Sequence, residues 1–380
     1  MKLTLQLQLL PDEAQVVDLR RTVERFNAAA NWLAGLAFKA QTASKYELQK
    51  RHYYELRERF DLPADMTIRV IAQVCEAYKR DKTKKPTFRK HAAVPYSHGK
   101  NYGFKGVDRV SISVVPSGRA IVPFVLGKYQ KERFGFAKGQ ADLVLREDGK
   151  WFFLVTVDLP GDPEIAATEF IGVDLGIEQI AVTSDGDAYE DKQVQDARRK
   201  LAERRKKLGR AAGGRQRRGK RPRNIRRVIK RTKRREGRFR RDVNHVISKK
   251  IVQAAKRTGR GIGLEDLKYI RARVRLRRRQ RDRFYGWAFG QLRTFIEYKG
   301  RLAGVPVVTV DARHTSQTCS ECGHCERSNR KNQSQFICRR CGFAANADSN
   351  AALNIKARAE VNRPMVSGHL DLGTSRLSFG

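Results

Sequence analysis

The sequence predicts an α+β protein of several domains, and three patterns along its 380 residues support this fold class. An N-terminal strand and two later hairpins alternate apolar and polar residues with period two, which indicates an antiparallel β region. Between that strand and the hairpins, apolar residues recur at steps of three and four, as in amphipathic helices. From residue 170 onward, short buried strands and helical segments alternate, which is typical of α/β domains. The chain therefore combines a small β-barrel that carries a helical insert with a C-terminal α/β domain.

The first 160 residues supply the β region and its insert. Leu3–Leu9 alternates leucine with polar residues, as a half-buried strand does. A helix opens at Pro11, whose fixed φ suits a first turn, and helical composition continues to about residue 90. Val110–Leu126 and Ala141–Asp158 are the hairpins, the second with an Asp-Gly turn between its apolar runs. We expect one antiparallel sheet that takes in the N-terminal strand and is interrupted by the helical block.

The C-terminal half begins with buried strands and continues with a strongly basic segment. Ile171–Gly176 is a short buried strand, and Ile180–Thr183 is its expected partner. Arg198–Arg241 contains 24 Lys or Arg among 44 residues and only two acids. A helical segment with so few interleaved acids is destabilised by self-repulsion unless phosphates neutralise it. We expect two basic helices, joined by a loop at Ala211–Gly214, that contact a polyanion.

The chain has a formal net charge of +40, from 80 Lys and Arg against 40 Asp and Glu, and this charge limits the classes of partner that it can bind. A protein so charged repels itself, and nucleic acid is the polyanion that best relieves this repulsion. No apolar run approaches the length of a bilayer span, and the basic segment lacks the apolar face of a membrane-surface helix. The N-terminus has no signal-peptide block, and the cysteines do not form a disulfide framework. These features predict a cytoplasmic protein that binds nucleic acid and no membrane.

Two Cys-x-x-Cys pairs, separated by fifteen residues, predict a structural zinc site with four thiolate ligands. Gly323 and Gly342 follow the second cysteine of each pair and allow the tight turn of a zinc knuckle. The predicted ligands are Cys319, Cys322, Cys338 and Cys341. Cys325 offers a rival pairing with Cys322, but no glycine follows it, so we leave it out of the site. Cys75, alone in a helical stretch, is predicted to be a buried core thiol.

Three acids lie where two strands and a helix start could bring them together. Asp174 sits in a strand between two glycines whose missing side chains let a ligand come close. Glu265 ends another short strand, and Asp348 begins a helical run. In so basic a chain, clustered carboxylates suit hard cations such as Mg²⁺, and two such ions can promote phosphodiester hydrolysis. The spacing alone leaves alternatives open, since Asp348 could cap its helix and Asp174 could belong to a turn.

Several motifs together resemble the TnpB family of insertion-sequence proteins. These motifs are Leu7–Pro11, Ile171–Gly176, Arg240–His245, Leu264–Leu267, Tyr298–Gly304, Thr315–Gly323, Cys338–Gly342 and Asn346–Ile355. They cover nearly the whole chain, and they follow one another in the family's order. The basic segment and the sequence around residues 40–100 match the family least clearly.

The resemblance implies an RNA-guided DNA endonuclease related to the ancestors of type V CRISPR effectors. The implied fold is an N-terminal wedge-like β-barrel with a helical recognition insert, followed by a RuvC (RNase H-like) α/β domain with an inserted zinc ribbon. On this reading, the barrel consists of residues 1–10 and 96–165, and the helical insert of residues 11–95. The RuvC domain consists of residues 166–315 and 343–358, and residues 198–241 form its basic helical hairpin. The zinc ribbon comprises residues 316–342, and residues 359–380 form a disordered C-terminal tail.

The resemblance also assigns roles to individual residues. Asp174, Glu265 and Asp348 match the family's three RuvC carboxylates, which bind Mg²⁺ or Mn²⁺ and act in catalysis, in addition to the structural Zn²⁺. Asp266 is expected to point to the opposite face of its strand and not to bind the ions. Many relatives have an arginine immediately before the third acid, where this chain has Ala347, so the charge around that acid is expected to differ.

The implied partners are one guide RNA and double-stranded target DNA, both bound by a monomer. Guide pairing supplies sequence specificity, while the protein reads a short motif beside the target and holds the heteroduplex by its shape and backbone. The basic segments suit this task, including the one around Arg271–Arg283. The side chains expected to contact nucleic acid are Arg217, Arg218, Arg226, Arg227, Lys230, Arg234 and Arg235.

The sequence leaves three other functions open. A transposase that performs strand transfer could use the same fold and acids, although no tyrosine nucleophile motif or site-specific DNA-reading domain is evident. An RNA-guided binder or repressor without nuclease activity is disfavoured because all three acids are present. A compact CRISPR effector cannot be distinguished from TnpB, except that a length of 380 residues favours the transposon-borne form.

Overall fold

Seven strands near the N-terminus form one antiparallel sheet that nearly closes into a barrel. The computed structural model describes residues 1–176, 179–190, 192–219, 221–267, 289–332 and 334–362. The strands of this sheet are β1 Lys2–Leu9, β2 Val94–Tyr96, β3 Tyr102–Lys105, β4 Arg109–Val114, β5 Gly118–Val125, β6 Ala141–Leu145 and β7 Trp151–Asp158. Their order across the sheet is β2-β6-β7-β1-β5-β4-β3.

The N-terminal strand β1 lies in the middle of this sheet. It pairs with β7 along its full length and with β5 at its C-terminal end, where Gln8 lies opposite Val125. Leu5, Leu7 and Leu9 are buried, as their alternation with polar residues predicts. The strand therefore joins the two hairpins into one sheet. A one-turn helix, α4 Lys128–Lys131, follows β5.

Three helices occupy the stretch between β1 and β2, namely α1 Glu13–Lys39, α2 Lys45–Phe60 and α3 Ala64–Arg80. Asp12 caps α1, because its side chain accepts from the amide of Gln15 while the Gln15 side chain accepts from the amide of Asp12. The helix therefore begins after Asp12 and not at Pro11, since the cap residue is extended. Leu19 and Val23 belong to the buried face that the spacing of apolar residues predicts.

A five-stranded mixed sheet forms the centre of the C-terminal half. Its strands and surrounding helices are β8 Phe170–Asp174, β9 Gln179–Thr183, β10 Ala188–Glu190, α5 Lys192–Arg217, α6 Arg223–Arg257, β11 Gly261–Glu265, α7 Phe289–Leu302, β12 Val307–Val310 and α8 Ala347–Val361. The order is β10-β9-β8-β11-β12, with β11 parallel to both of its neighbours and the other pairs antiparallel. Apolar residues of α6 and α7 form a core with one face of the sheet, and α8 packs on the other face.

Glycines on β8 and β11 allow α8 to approach the sheet closely. A Cβ at Gly172 would lie 2.0 Å from the carbonyl oxygen of Ala352, and one at Gly263 would lie 2.7 Å from the Cβ of Ala359. The sequence predicts that Gly172 makes room for a ligand, but the backbone of α8 fills this space. The close approach instead fixes the helix against the two strands that carry Asp174 and Glu265.

The basic segment forms a helical hairpin of α5 and α6. The chain leaves α5 after Arg217 and enters α6 at Arg223, so the predicted loop at Ala211–Gly214 is wrong. Each glycine in a helix costs only about 1 kcal/mol relative to alanine, and the packing of α5 against α6 offsets this cost. The turn instead uses Gly219, whose φ is +69°, and Pro222, which precedes the first residue of α6.

The chain divides into two compact units, Met1–Pro160 and the remainder from Gly161. The seven-stranded sheet and helices α1–α4 belong to the first unit, and the five-stranded sheet belongs to the second. Within the described ranges, no helix has both the length and the apolar composition needed to span a bilayer.

Candidate active site and zinc ribbon

Two of the predicted acids lie at the carboxyl ends of neighbouring parallel strands. Asp174 is the last residue of β8, and Glu265 is the last residue of β11. The pairing of Val173 with Leu264 puts the two acids at the same level of the sheet. Gly172 and Gly263, two residues earlier on each strand, face α8. Because side chains alternate along a strand, both acids are on the α8 face.

The third acid, Asp348, reaches the same place from the start of α8. The side chain of Asn346 caps this helix, because it accepts from the amides of Asp348 and Ser349 at 2.9 and 3.3 Å. Asp348 is therefore not the cap of its own helix. Its carboxylate lies beside the turn that follows β8, since a Cβ at Gly176 would be 3.5 Å from Oδ2 of Asp348.

Burial and mutual repulsion raise the pKa values of the two strand acids. Burial is the main cause that holds the pKa of Asp174 well above its usual range, and the charges of Glu265 and Asp348 add to it. Burial also raises the pKa of Glu265, against the opposing effect of a hydrogen bond from Thr315. The three carboxylates thus lie close enough to repel one another, and a bound divalent cation would relieve this repulsion.

A guanidinium lies within this group of acids. Nη2 of Arg330 donates to Oδ1 of Asp348 at 3.3 Å, and the Arg330 charge lowers the pKa values of both Asp174 and Glu265. The residue immediately before Asp348 is Ala347, and the positive charge beside this acid comes instead from Arg330, which lies 18 residues earlier in the chain. Sequence reasoning missed this residue, because nothing local distinguishes it among 80 Lys and Arg.

Asp266, the neighbour of Glu265, has a different environment. Its Oδ1 accepts from Nη1 of Arg293 at 2.8 Å, and Arg293 lies on α7. Leu292 and Ile296 of α7 pack on the sheet face that is opposite to α8. The side chain of Asp266 is therefore engaged on the other side of the sheet from the three acids, as its position one residue after Glu265 predicts.

The four predicted zinc ligands come together in a ribbon before α8 that includes strands β13 Gln335–Ile337 and β14 Ala344–Asn346. The Sγ atoms of Cys319 and Cys341 are 3.7 Å apart, and those of Cys322 and Cys338 are 3.5 Å apart. Tetrahedral thiolates at about 2.3 Å from Zn²⁺ would be about 3.8 Å apart, so the spacing fits this ion.

The turns of the ribbon support the same assignment. Gly323 and Gly342 have φ values of +72° and +75°, and each donates its amide to the carbonyl of the first cysteine in its knuckle. A hydrogen bond from the amide of Cys341 is the main cause that lowers the pKa of Cys338 to about 6. Cys338 thereby favours the thiolate, which is the form that binds zinc, whereas the pKa of Cys341 in the same knuckle is raised to about 12 among the neighbouring sulfurs.

Cys325 and Cys75 lie outside this group. Cys325 is exposed and is not among the four sulfurs, whose mutual distances are all within 4.8 Å. Cys75 is buried on α3, and burial raises the pKa of its thiol. Among the described residues, the four cysteines are the one group of three or more potential ligands with so close a spacing. The carboxylate oxygens of Asp174, Glu265 and Asp348 therefore do not all lie within 4.8 Å of one another.

The predicted nucleic-acid contacts lie on the exposed surface of the α5–α6 hairpin. All seven side chains are exposed, namely Arg217, Arg218, Arg226, Arg227, Lys230, Arg234 and Arg235. Glu236, one of the two acids in this segment, is largely buried and forms ion pairs with Arg198 and Arg205 of α5. This acid joins the two helices and leaves a surface dominated by positive charge. The second basic segment, Arg271–Arg283, and the tail from residue 363 lie outside the described residues.

Two family models match parts of the chain. The model described as a Cas12f1-like TNB domain matches residues 289–355, which include the ribbon and Asp348. The OrfB_IS605 model, described as a probable transposase, matches residues 152–272, which include Asp174, the basic hairpin and Glu265. Together, the two matched ranges contain the three acids and the four clustered cysteines.

Curated relatives are similar over longer stretches. The CRISPR-associated endodeoxyribonuclease Cas12f1 of Sulfoacidibacillus thermotolerans is 33% identical over 65% of this chain, and the match spans 58% of that relative's length. The "Putative RNA-guided DNA endonuclease InsQ" of Escherichia coli K12 is 28% identical over 73% of this chain and 71% of its own length. The TnpB-like protein MJ0751 of Methanocaldococcus jannaschii is 30% identical over 37% of this chain and 50% of its own length.

Solved structures share the fold at low sequence identity. A Cas12f1 protein in complex with sgRNA and target DNA superposes with a TM-score of 0.62, at 14% identity, over 94% of this chain and 98% of that chain. The mini-RNA-guided endonuclease CRISPR-Cas_phi3 superposes with a TM-score of 0.56, at 11% identity, over 96% of this chain and 93% of that chain. The described chain thus has the mixed α/β architecture of these proteins.

Proposed function

Because the chain belongs to the TnpB family, we propose that it is an RNA-guided endonuclease that cleaves DNA beside a short target-adjacent motif. The observation that carries this proposal is the meeting of Asp174, Glu265 and Asp348 at one edge of the central sheet. Two strand ends and a helix start bring these acids together, and Asp174 and Glu265 repel Asp348 electrostatically. The named relatives supply the class of reaction, and the site supplies residues able to perform it.

The five-stranded sheet corresponds to a RuvC domain of RNase H type, with the α5–α6 hairpin and the zinc ribbon as insertions. The barrel and helices α1–α3 correspond to the wedge and recognition parts of the first unit. Support comes from the parallel pair of β8 and β11, from the placement of one acid at the end of each, and from α8, which brings the third acid to the same face. On this assignment, the ribbon contributes structure to the nuclease domain.

The three acids would hold two divalent ions, Mg²⁺ or Mn²⁺. Their carboxylate oxygens are the donors that such ions prefer, and Glu265 and Asp348 are buried while Asp174 is partly exposed. When bound, the ions activate a water molecule and stabilise the leaving oxygen of the phosphodiester. The chain itself fixes the carboxylates: the strands hold Asp174 and Glu265, and the Asn346 cap holds the first turn of α8. The charge of Arg330 partly neutralises the three acids.

The four cysteines would hold one Zn²⁺ with a structural role, because they fill all tetrahedral positions and leave none for substrate. The partners would be a guide RNA and a double-stranded target, with one chain per RNA. The exposed arginines of the hairpin would bind phosphates without regard to sequence, while pairing with the guide selects the target.

The decisive experiment begins with sequencing the RNA that co-purifies with the full chain. A supercoiled plasmid that carries a matching target and a randomised flanking motif is then incubated with the complex and Mg²⁺. We expect RNA-dependent cleavage by the wild-type protein and none by Asp348→Ala, Asp174→Ala or Glu265→Ala, because misplaced ions support little in-line attack. Asp266→Asn is the matched control, since the Asp266 side chain accepts from Arg293 on the sheet face opposite to α8.

The outcome separates this function from its alternatives. Joined products, in which plasmid ends are transferred to a second DNA, would indicate a strand-transfer transposase. Guide-dependent binding without cleavage in Mg²⁺ or Mn²⁺ would indicate an RNA-guided repressor. Full cleavage by Asp348→Ala would contradict the assignment of the site.

A further inference from the structure

The hydroxyl of Thr315 is buried against one of the three acids. Thr315 follows β12 at the entrance to the zinc ribbon, and 3% of the residue is exposed. Its Oγ1 is 2.5 Å from Oε1 of Glu265 and 3.1 Å from the carbonyl oxygen of Ala312. Thr315 is the first residue of the Thr315–Gly323 motif, but the four clustered zinc ligands are all cysteines.

A hydroxyl has one hydrogen, so Thr315 can donate to Glu265 or to Ala312 but not fully to both. When Glu265 is ionised, its charge makes it the stronger acceptor, because hydrogen bonds to charged groups are roughly twice as strong as neutral ones. The bond is formed at Oε1, and this restricts the rotation of the carboxylate about its terminal torsion, which is otherwise broad. Thr315 therefore selects one orientation of Glu265.

Thr315 is itself held by the helix that carries Asp348. The Nδ2 atom of Asn354 donates to the carbonyl oxygens of Thr315 at 2.9 Å and of Thr318 at 2.7 Å. Asn354 lies on α8 and is largely buried. The segment that orients Glu265 is thus anchored to the element that positions Asp348. Glu265 and Asp348 lie on different elements, and this connection fixes their positions relative to each other.

We propose that Thr315 is a positioning residue that orients the Glu265 carboxylate for binding a divalent cation. The inference rests on the proposed function, in which Glu265 is a ligand of Mg²⁺ or Mn²⁺. It adds a contribution from the segment between β12 and the zinc ribbon to the geometry of the nuclease site. Neither the cysteine spacing nor the acid motifs indicate this contribution.

The test compares Thr315→Val, which removes the hydroxyl and keeps the shape, with Thr315→Ser, which keeps the hydroxyl. Mn²⁺ binding to the zinc-loaded, RNA-free full chain is measured by electron paramagnetic resonance. The Mg²⁺ concentration that gives half-maximal cleavage is measured with the RNA complex. We expect Thr315→Val to weaken both by about tenfold, as the loss of a hydrogen bond to a charged group does, and Thr315→Ser to stay within about twofold of wild type.

Thr318→Val is the matched control, because the Thr318 hydroxyl donates to the carbonyl of His314 and does not contact Glu265. It should leave Mn²⁺ binding unchanged. Wild-type ion binding by Thr315→Val would overturn the positioning role while leaving the proposed function intact. If the wild-type complex does not cleave its matched target, the proposed function fails, and the Mn²⁺ titration still decides the role of Thr315. If Thr315→Val loses zinc or unfolds, Thr315→Ala is compared with Thr315→Ser in the same assays, and equal ion binding by these two variants would refute the role.

Discussion

At the residue scale, the burial of Asp174 among other acids makes its charged form costly. Its folded-state pKa is raised, so the folded chain binds this proton more tightly than the unfolded chain does. Stability from this group is therefore complete below the unfolded pKa near 3.8 and is lost as pH rises through the folded value. We predict that Asp174→Asn raises the melting temperature of the zinc-loaded, RNA-free chain at pH 8 without added divalent ions, and that the gain shrinks as pH falls.

Added Mg²⁺ should reverse the order of the two melting temperatures, so that wild type becomes more stable than Asp174→Asn. The reason is that ions that bind only the folded state stabilise it by mass action. Wild type should therefore gain melting temperature with Mg²⁺, while Asp174→Asn should gain less. Differential scanning fluorimetry across pH 5–8 measures both effects. A lower melting temperature for Asp174→Asn at every pH, with or without Mg²⁺, would show that this carboxylate is not repelled by its neighbours.

The sequence predicted these acids better than it predicted their surroundings. Asp174 and Glu265 end strands that alternation and short buried runs indicate, and adjacent strand ends must meet at one edge of a sheet. Arg330 and Thr315 contact the acids across 18 and 50 residues of chain. No local periodicity encodes such contacts, because they depend on how the ribbon folds back on the sheet. The meeting of the strand acids at one sheet edge could therefore be predicted from the sequence, and the side chains that contact them could not.

At the element scale, the zinc ribbon should depend on its metal for folding. It has few apolar residues, with a small core around Phe336 and two of the cysteines, so we expect zinc binding to supply much of its folding free energy. We predict that Cys319→Ser or Cys341→Ser loses the bound zinc and lowers the melting temperature. Zinc content per chain, measured by mass spectrometry, and thermal unfolding test this. Cys325→Ser is the control and should keep one zinc, and zinc loss in this variant would contradict the ligand assignment.

The α5–α6 hairpin provides a second prediction for an element. Changing Arg217, Arg218, Arg226 and Arg227 together to Gln should weaken nucleic-acid affinity and flatten its dependence on salt. If all four contact RNA phosphates, the log–log slope should fall in magnitude by up to about 2.8 to 3.6, at about 0.7 per phosphate on a single strand and about 0.9 on a duplex. Exposed charges contribute little to stability, so the fold should persist.

Substitution of the same four positions by Lys keeps the charge and should keep most of the salt slope. Binding is measured as a function of KCl concentration with the co-purified RNA. An unchanged slope in the Gln variant would mean that this surface is solvated in the complex.

The sequence prediction for the position of the hairpin turn was wrong, because two glycines within a helix cost little free energy. The observed turn has two features that end a helix: Gly219 has a left-handed φ, and Pro222 cannot donate a helix hydrogen bond.

At the scale of the whole molecule, the net charge of +40 acts against folding. The 40 acids can neutralise at most half of the 80 Lys and Arg, so a large positive charge remains. The α5–α6 hairpin carries many of these cations, and Glu236 is its largely buried acid. Monovalent salt weakens the repulsion between these exposed positive charges, because the Debye length falls from about 10 Å at 0.1 M to about 3 Å at 1 M. The RNA-free chain should therefore become more stable as monovalent salt rises, which is opposite to the behaviour of a protein held together by surface ion pairs.

The RNA complex should respond in the opposite direction, and this contrast is the strongest global test of the proposed partner. Bound RNA stabilises the folded chain only while it stays bound, and salt weakens that binding through counterion release. We predict that the melting temperature rises with KCl for the RNA-free chain, falls with KCl for the complex, and converges where RNA dissociates. The Gln variant of the hairpin should show a smaller change in both directions, because it has four fewer charges to screen or to neutralise. A melting temperature that is independent of salt with and without RNA would show that the excess charge is not neutralised by nucleic acid.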